Sequence, residues 1–553
     1  MAKHSQSLAP LFRIDKRSQM SMQEQIRRRV IEAIYAEVFP PGKRLPSSRK
    51  LASELGVSRN TVFLAYQQLI AEGHIEARER SGLYVPEAAQ ARRLVAPSQP
   101  NKTRAPALSG AIARRLPKQT GGSPGFQCPP DWQKFRYPFI EGRYDRSLFP
   151  IAEWREASRL ALAASEVDQW SLDNGEVDDP ALVEEIRTKL LPRRGIAARP
   201  DELLITVGEQ QALFLAIQLL VNKASRVAVE EPGLPELRAL LAMRDAELVH
   251  QPVDDKGILV DSRLEGCELV CVSASRQRPT GVTLSQDRRK ALLDMAEDRD
   301  FLVLEDDFEC EMNYLGSAVP ALRSLDGGER VVYVASLSKV LAPGYMVAAP
   351  EIIAEARRLR DLTTRRPSPN NQRAAAFFLS LGHYDAMMRR LTRVCAERLI
   401  ALRDALNHYR PLSIAVAPVE GGTSYWVRGP EGMDAQAVIR AAEARGILIE
   451  PADHWFAEAP KAQTMFRLGV TSLAAPAIRK GIAELSMAMR ALAEAGSDDY
   501  PSFHVLAGSE LHDRLAGATL LYKTVYGDPC TIELHADGRM TGQAGYAGED
   551  RDA

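Results

Sequence analysis

The run Val331-Val332-Tyr333-Val334-Ala335-Ser336-Leu337-Ser338-Lys339 decides how this chain is read. Its first five residues are apolar and rich in valine, the pattern of a short buried strand. Two hydroxyls and a lysine follow at once. A primary amine just beyond a buried strand is a place to anchor an aldehyde cofactor as a Schiff base. Hydroxyls beside it suit a phosphate, and a desolvated amine is the better nucleophile.

Four more short apolar runs precede this one: Leu203–Val207, Arg226–Val229, Leu269–Val272 and Phe301–Leu304. Segments with helical spacing, such as Gln210–Val221 and Gln286–Ala296, lie between them. Short continuous strands alternating with helices predict an α/β domain with a mostly parallel sheet. Ligands then bind beyond the carboxyl ends of the strands. Three candidate groups fall at such ends. Gly208, Glu209 and Gln210 open a helix whose free N–H groups make a phosphate seat. Glu305-Asp306-Asp307 ends another strand, where one carboxylate facing a pyridine nitrogen would keep it protonated. Ser336, Ser338 and Lys339 complete the set.

The chain has 553 residues, 45% hydrophobic and 26% charged, so it is expected to be globular, with about three or four domains. Residues 1–85 carry 14 Lys and Arg against 8 Asp and Glu, and the overall charge of −1 leaves −7 for the rest. A basic head on an acidic body fits a nucleic-acid partner for the head. Residues 1–15 lack the apolar stretch of a signal peptide, and no apolar run approaches the roughly 20 residues that span a bilayer. These features predict a cytoplasmic protein with no membrane segment. The six cysteines are scattered. Cys267 and Cys271 share an apolar run and read as buried thiols, so no metal site is expected.

The head reads as three helices and a wing. Ile26, Val30, Ile34 and Val38 repeat every fourth residue along one helix face, which Pro40-Pro41-Gly42 ends. Ser47 or Ser48 caps a short second helix closed by Gly56, and Ser58 caps a third closed by Gly73. His74–Val85 alternates around Arg78-Glu79-Arg80-Ser81-Gly82 and reads as a β-hairpin. In a helix-turn-helix the second helix presents its first residues to the major groove, here Ser58, Arg59, Asn60 and Thr61. Arginine reads guanine bidentately and asparagine reads adenine. Arg49, Arg80 and Gly82 suit contacts with phosphate or groove.

Leu45-Pro46-Ser47-Ser48-Arg49, Leu51–Thr61, Ala65-Tyr66 and Leu69–Gly73 together resemble the winged helix of GntR-family regulators. Residues of about 140–490 resemble fold-type-I aminotransferases that use pyridoxal 5'-phosphate (PLP). The carrying motifs are Ser147–Pro150, Glu231-Pro232-Gly233, Arg278–Gly281, Glu305–Phe308, Ser336–Gly344 and Phe466–Gly469. The whole chain is thereby similar to MocR/GabR-type transcriptional regulators. The resemblance implies Lys339 as the Schiff-base lysine and Asp306 as the partner of the pyridine nitrogen. It also implies Gly208, Glu209 and Gln210 in the phosphate loop, and Arg467 as the clamp on the carboxylate of an incoming amino acid. An arginine fork matches a carboxylate bidentately.

Four positions depart from that family. Phe308 stands where a tyrosine usually hydrogen-bonds the cofactor. An arginine expected shortly after Gly344 is missing, because Tyr345 follows directly. Leu234 replaces an aromatic residue, and Arg278 replaces a polar or aromatic one. Each lost charge-assisted contact costs about 1.5–3 kcal/mol of binding.

The expected architecture is multidomain. Residues 15–86 form a winged helix-turn-helix, and 87–135 a basic flexible linker. Residues 136–495 form an α/β PLP-dependent transferase fold (type I), and 496–553 a small β-rich segment with two or three strands and no assigned role. The leading functional reading is a PLP-responsive, DNA-binding transcriptional regulator. It would act as a homodimer on double-stranded operator DNA, with an amino acid, an amine or PLP itself as effector. Two other readings stay open: an active PLP-dependent aminotransferase, or a regulator whose body has lost PLP and serves as a dimerisation scaffold.

Overall fold

The structure, a computed structural model, describes residues 20–36, 38–78, 81–86, 125–142, 146–171, 177–316, 319–327, 329–337, 343–409, 415–416, 419, 421–429, 432–458, 464–495, 515–523, 529–535, 539–544 and 550–552. Most of the expected linker 87–135 therefore lies outside the described residues. Two compact units divide the chain, residues 1–117 and 118–553.

In the first unit, helices α1 (Met22–Tyr35), α2 (Ser48–Leu55) and α3 (Arg59–Ala71) precede a hairpin of β1 (Glu76–Arg78) and β2 (Gly82–Tyr84). The caps are local chemistry. Ser21, Ser47 and Ser58 each accept a hydrogen bond from the backbone N–H three residues on. Gly56 ends α2 in the left-handed region at φ +62°, where a Cβ would be strained. Ile26, Val30, Leu51, Val62, Tyr66, Leu69 and Val85 meet in one buried core.

The second unit is built on an eight-stranded sheet. Its strands are β4 (Leu203–Thr206), β5 (Arg226–Glu231), β6 (Glu247–Asp254), β7 (Gly257–Ile258), β8 (Leu269–Val272), β9 (Leu302–Asp306), β10 (Val331–Ser336) and β11 (Gly344–Val347). The spatial order is β4-β11-β10-β9-β8-β5-β6-β7. Pairings among β10, β9, β8, β5 and β6 are parallel, and only those of β7 and β11 are antiparallel. The strand tips of β4, β5, β8, β9 and β10 thus share one edge. Side chains alternate between two helical layers. Tyr333 and Ala335 enter one core, while Val332 and Val334 enter the other.

Two features go beyond the sequence reading. A second sheet of Tyr137–Phe139 (β3), Ala415–Val416 (β12), Ser424–Arg428 (β13), Ile447–Pro451 (β14) and Met465–Gly469 (β15) forms its own packed layer. The C-terminal segment holds four antiparallel strands in meander order, the last at Asp550–Asp552, rather than two or three. Alternation is a weak signal over three residues, so that last strand is visible only through its pairing.

Candidate functional site

β9 ends in three consecutive carboxylates, and the fold gives them three different jobs. Glu305 accepts from the backbone N–H groups of Leu322 (2.8 Å) and Arg323 (3.1 Å), capping a turn. Asp307 pairs with buried Arg194 at 2.8 Å and accepts from the Tyr333 hydroxyl at 2.6 Å. Asp306 alone turns into the cavity at the strand tips, among Leu213, Glu230, Ser273 and Leu304. Strand alternation puts Glu305 and Asp307 on one side and Asp306 on the other.

The helix Glu209–Leu220 starts at the tip of β4. Gly208 is its N-cap and supplies no side-chain cap, so the first-turn N–H groups face outward. A Cβ placed on Gly208 would meet nothing within 4 Å, so there is space above the turn. Across from it, β11 begins at Gly344, whose Cβ would sit 2.4 Å from the Gly208 carbonyl carbon. Only glycine allows that approach. The chain enters β11 here directly, and Tyr345 is buried in the core beside Tyr333 rather than offering a cation to the site.

Ser336 lies at the tip of β10, half-buried and paired with Gly344. Ser338 and Lys339 lie outside the described residues. Glu209 is engaged, its Oε1 accepting from Arg278 Nη2 at 2.7 Å. Gln210 is exposed. Arg467, on β15, is buried and faces two carboxylates. It pairs closely with Glu141, and Glu450 Oε2 lies 3.6 Å away. Burial alone would depress the Arg467 guanidinium, but Glu141 and Glu450 hold it above its ordinary value.

The sequence reading missed the internal partners of its two arginines, and it missed Glu230. Glu230 is the penultimate residue of β5, fully buried, and its carboxyl is pushed up to about 8 chiefly by burial. A carboxylate directly after Val227-Ala228-Val229 was the available signal.

In the first unit, Arg49, Ser58, Arg59, Asn60 and Gly82 are exposed and Thr61 is half-buried. Arg80 lies outside the described residues. Ser58 and Thr61 are turned toward one another, with Oγ to Oγ1 at 2.8 Å, so the cap holds both hydroxyls. Arg59, Asn60, Phe63, Leu64 and Gln67 form the solvent face of α3, with Phe63 48% exposed. Gly82 has φ +120°, and a Cβ there would fall 2.8 Å from Arg44 Nε, so the wing packs closely over Arg44.

Residues 22–85 match the bacterial regulatory proteins of the gntR family, and residues 141–482 match aminotransferase class I and II. A relative with both parts is the HTH-type transcriptional regulator TauR of Rhodobacter capsulatus. It is 42% identical over 476 residues, 85% of this chain and 97% of that protein. This chain belongs to the MocR-type transcriptional regulators. The probable rhizopine catabolism regulatory protein MocR of Rhizobium meliloti is 29% identical, covering 88% of this chain and 97% of its own length. Among solved structures, LysN, an α-aminoadipate aminotransferase of Thermus thermophilus, superposes with a TM-score of 0.60 at 25% identity. That match covers 70% of this chain and 98% of LysN, which was solved with N-(5'-phosphopyridoxyl)-L-leucine. Kynurenine aminotransferase of Pyrococcus horikoshii, at 23% identity and a TM-score of 0.62, shares the fold over 70% of this chain and 99% of its own. The protein is therefore a DNA-binding regulator of the gntR family with an aminotransferase-like body. Among the described residues, no helix is long and apolar enough to cross a membrane.

The strand-tip cradle holds some of the groups that a pyridoxal phosphate would use. Asp306 stands at one end and an uncapped helix N-terminus with open space at the other. The charge of Glu209 and the position of Arg278 oppose it.

Proposed function

We propose that this regulator takes PLP at the strand tips of its body and reports the filled state to its DNA-binding head. The observation that carries the reading is the division of labour at the end of β9: Glu305 and Asp307 serve the fold, and Asp306 faces the cavity. Asp306 would hold the ring nitrogen. Gly208 and Gln210, with Ser336 and Ser338, would take the phosphate, and Lys339 the carbonyl carbon. When bound, the cofactor supplies an electrophilic carbon that captures primary amines.

The chain's own residues do the rest. Glu141 and Glu450 hold the Arg467 guanidinium in place. An amino-acid carboxylate reaching Arg467 must compete with Glu141, which favours an effector whose anionic group bonds well enough to win. Effector binding changes DNA affinity only if the two states of the protein differ in affinity for it. On the head, Arg59 and Asn60 read bases while Arg49, Arg80 and Gly82 meet the backbone and groove. The type-I body acts as a homodimer and pairs two heads.

The test is the visible spectrum of purified protein titrated with PLP, wild type against Lys339→Ala. A new absorption band that needs Lys339 is expected. If the two proteins give the same spectrum, the PLP reading is wrong.

A further inference from the structure

Arg278 links the two ends of the cradle. Its Nη2 lies 2.7 Å from Glu209 Oε1 at the helix start and 3.7 Å from Asp306 Oδ2 at the tip of β9. Its guanidinium lies 3.5 Å over the ring of Phe308. The side chain is 9% exposed.

The loop beneath it is fixed. Gln277 Nε2 donates to the Pro232 carbonyl at 2.7 Å, and Gln277 Oε1 accepts from Thr280 Oγ1 at 2.6 Å. Arg278 is thus held in place from below and paired from above. Burial would depress its guanidinium, but Glu209 and Asp306 more than offset that, so it stays charged.

Asp306 thus has a nearby cation, the charge that a protonated pyridine would otherwise bring to it, and the guanidinium covers the Phe308 face. At the other end the polarity is reversed. Glu209 carries a negative charge at the helix N-terminus, where a phosphate would sit.

We propose that Arg278 and Glu209 form an internal stand-in that closes the cradle, so that PLP is a competed, reversible ligand rather than a resident cofactor. The proposal rests on the PLP reading above and adds how that site is regulated. A closed state lowers apparent affinity by the fraction of molecules that are open. A phosphate must also displace Glu209 or face it across a poorly solvated gap, where like charges repel strongly. Weak, reversible filling suits a sensor, because occupancy then follows the ligand's concentration. The two residues act as a unit. Removing Arg278 alone leaves the Glu209 charge unpaired at the phosphate seat.

The test uses the full chain. PLP is titrated by visible absorbance into wild type, Arg278→Asn, and the double variant Arg278→Asn/Glu209→Ser. The double variant is expected to bind at least tenfold tighter than wild type, and the single variant to gain less than the double. A double variant that binds no tighter than wild type overturns the stand-in while leaving the PLP reading intact. If neither protein shows a band dependent on Lys339, both proposals fall. Should thermal melting show the double variant misfolded, Glu209→Gln removes the charge at constant size. A gain of about threefold is then expected, and an unchanged affinity overturns the proposal.

Discussion

Glu230 occupies one of the least hospitable places in the body for a charge. It is fully buried, accepts from Ser273 N at 3.2 Å and Gln277 Nε2 at 3.3 Å, and feels Asp306 nearby. Burial, with Asp306 adding to it, pushes the carboxyl from 4.5 up to about 8. The folded protein therefore keeps this proton between about pH 4.5 and 8, while the unfolded chain has released it. Stability must fall as pH rises through that window, and the contribution is lost above 8. Glu230→Gln, a neutral isostere, should melt like wild type near pH 5 and at a higher temperature at pH 8.5. Equal melting curves at both pH values would refute the assignment. Asp307 is the opposite case, a buried anion that is paired. Asp307→Ala strands Arg194, whose side chain is 8% exposed, and should cost about 3–5 kcal/mol in denaturant unfolding. None of these partners could be named from sequence. Arg194 and Asp307 are 113 residues apart, and only the sheet brings them together.

At the scale of elements, the winged helix was the most legible part of the chain. Its signals are local: serine caps, a left-handed glycine, and apolar residues one turn apart. Ser58→Ala removes an acceptor for the Thr61 N–H and should destabilise the head by about 1 kcal/mol, read in a thermal melt. Arg59, by contrast, is exposed. Arg59→Ala should leave the melt unchanged and weaken binding to DNA selected by wild type by about 1–3 kcal/mol, measured by anisotropy. Unchanged DNA binding would remove Arg59 from the reading face. The strands of the large sheet were also legible, since continuous apolar runs mark strands buried on both faces. The second sheet was not. Its strand Tyr137–Phe139 is three residues long and pairs with Ile447–Ile449, more than 300 positions away. No local pattern carries such a pairing.

For the whole molecule, the homodimer proposed above would place two heads on one DNA. Sequences selected from a random pool should contain paired half-sites, and sedimentation should give a dimer; a monomer that binds one half-site would contradict this. The sequence by itself determined the two-part plan, the winged helix, the parallel sheet and the strand tips where Asp306, Gly208 and Ser336 fall. It could do so because caps, periodicities and motif spacings are properties of neighbouring residues. Only the tertiary structure decided that Glu305 and Asp307 serve the fold, that Glu141 and Glu450 hold Arg467, and that Arg278 spans the cradle from Glu209 to Asp306. Those are contacts of buried charged groups that no pattern among neighbouring residues carries. Their energies depend on distance and burial, and both are set only when the sheet closes.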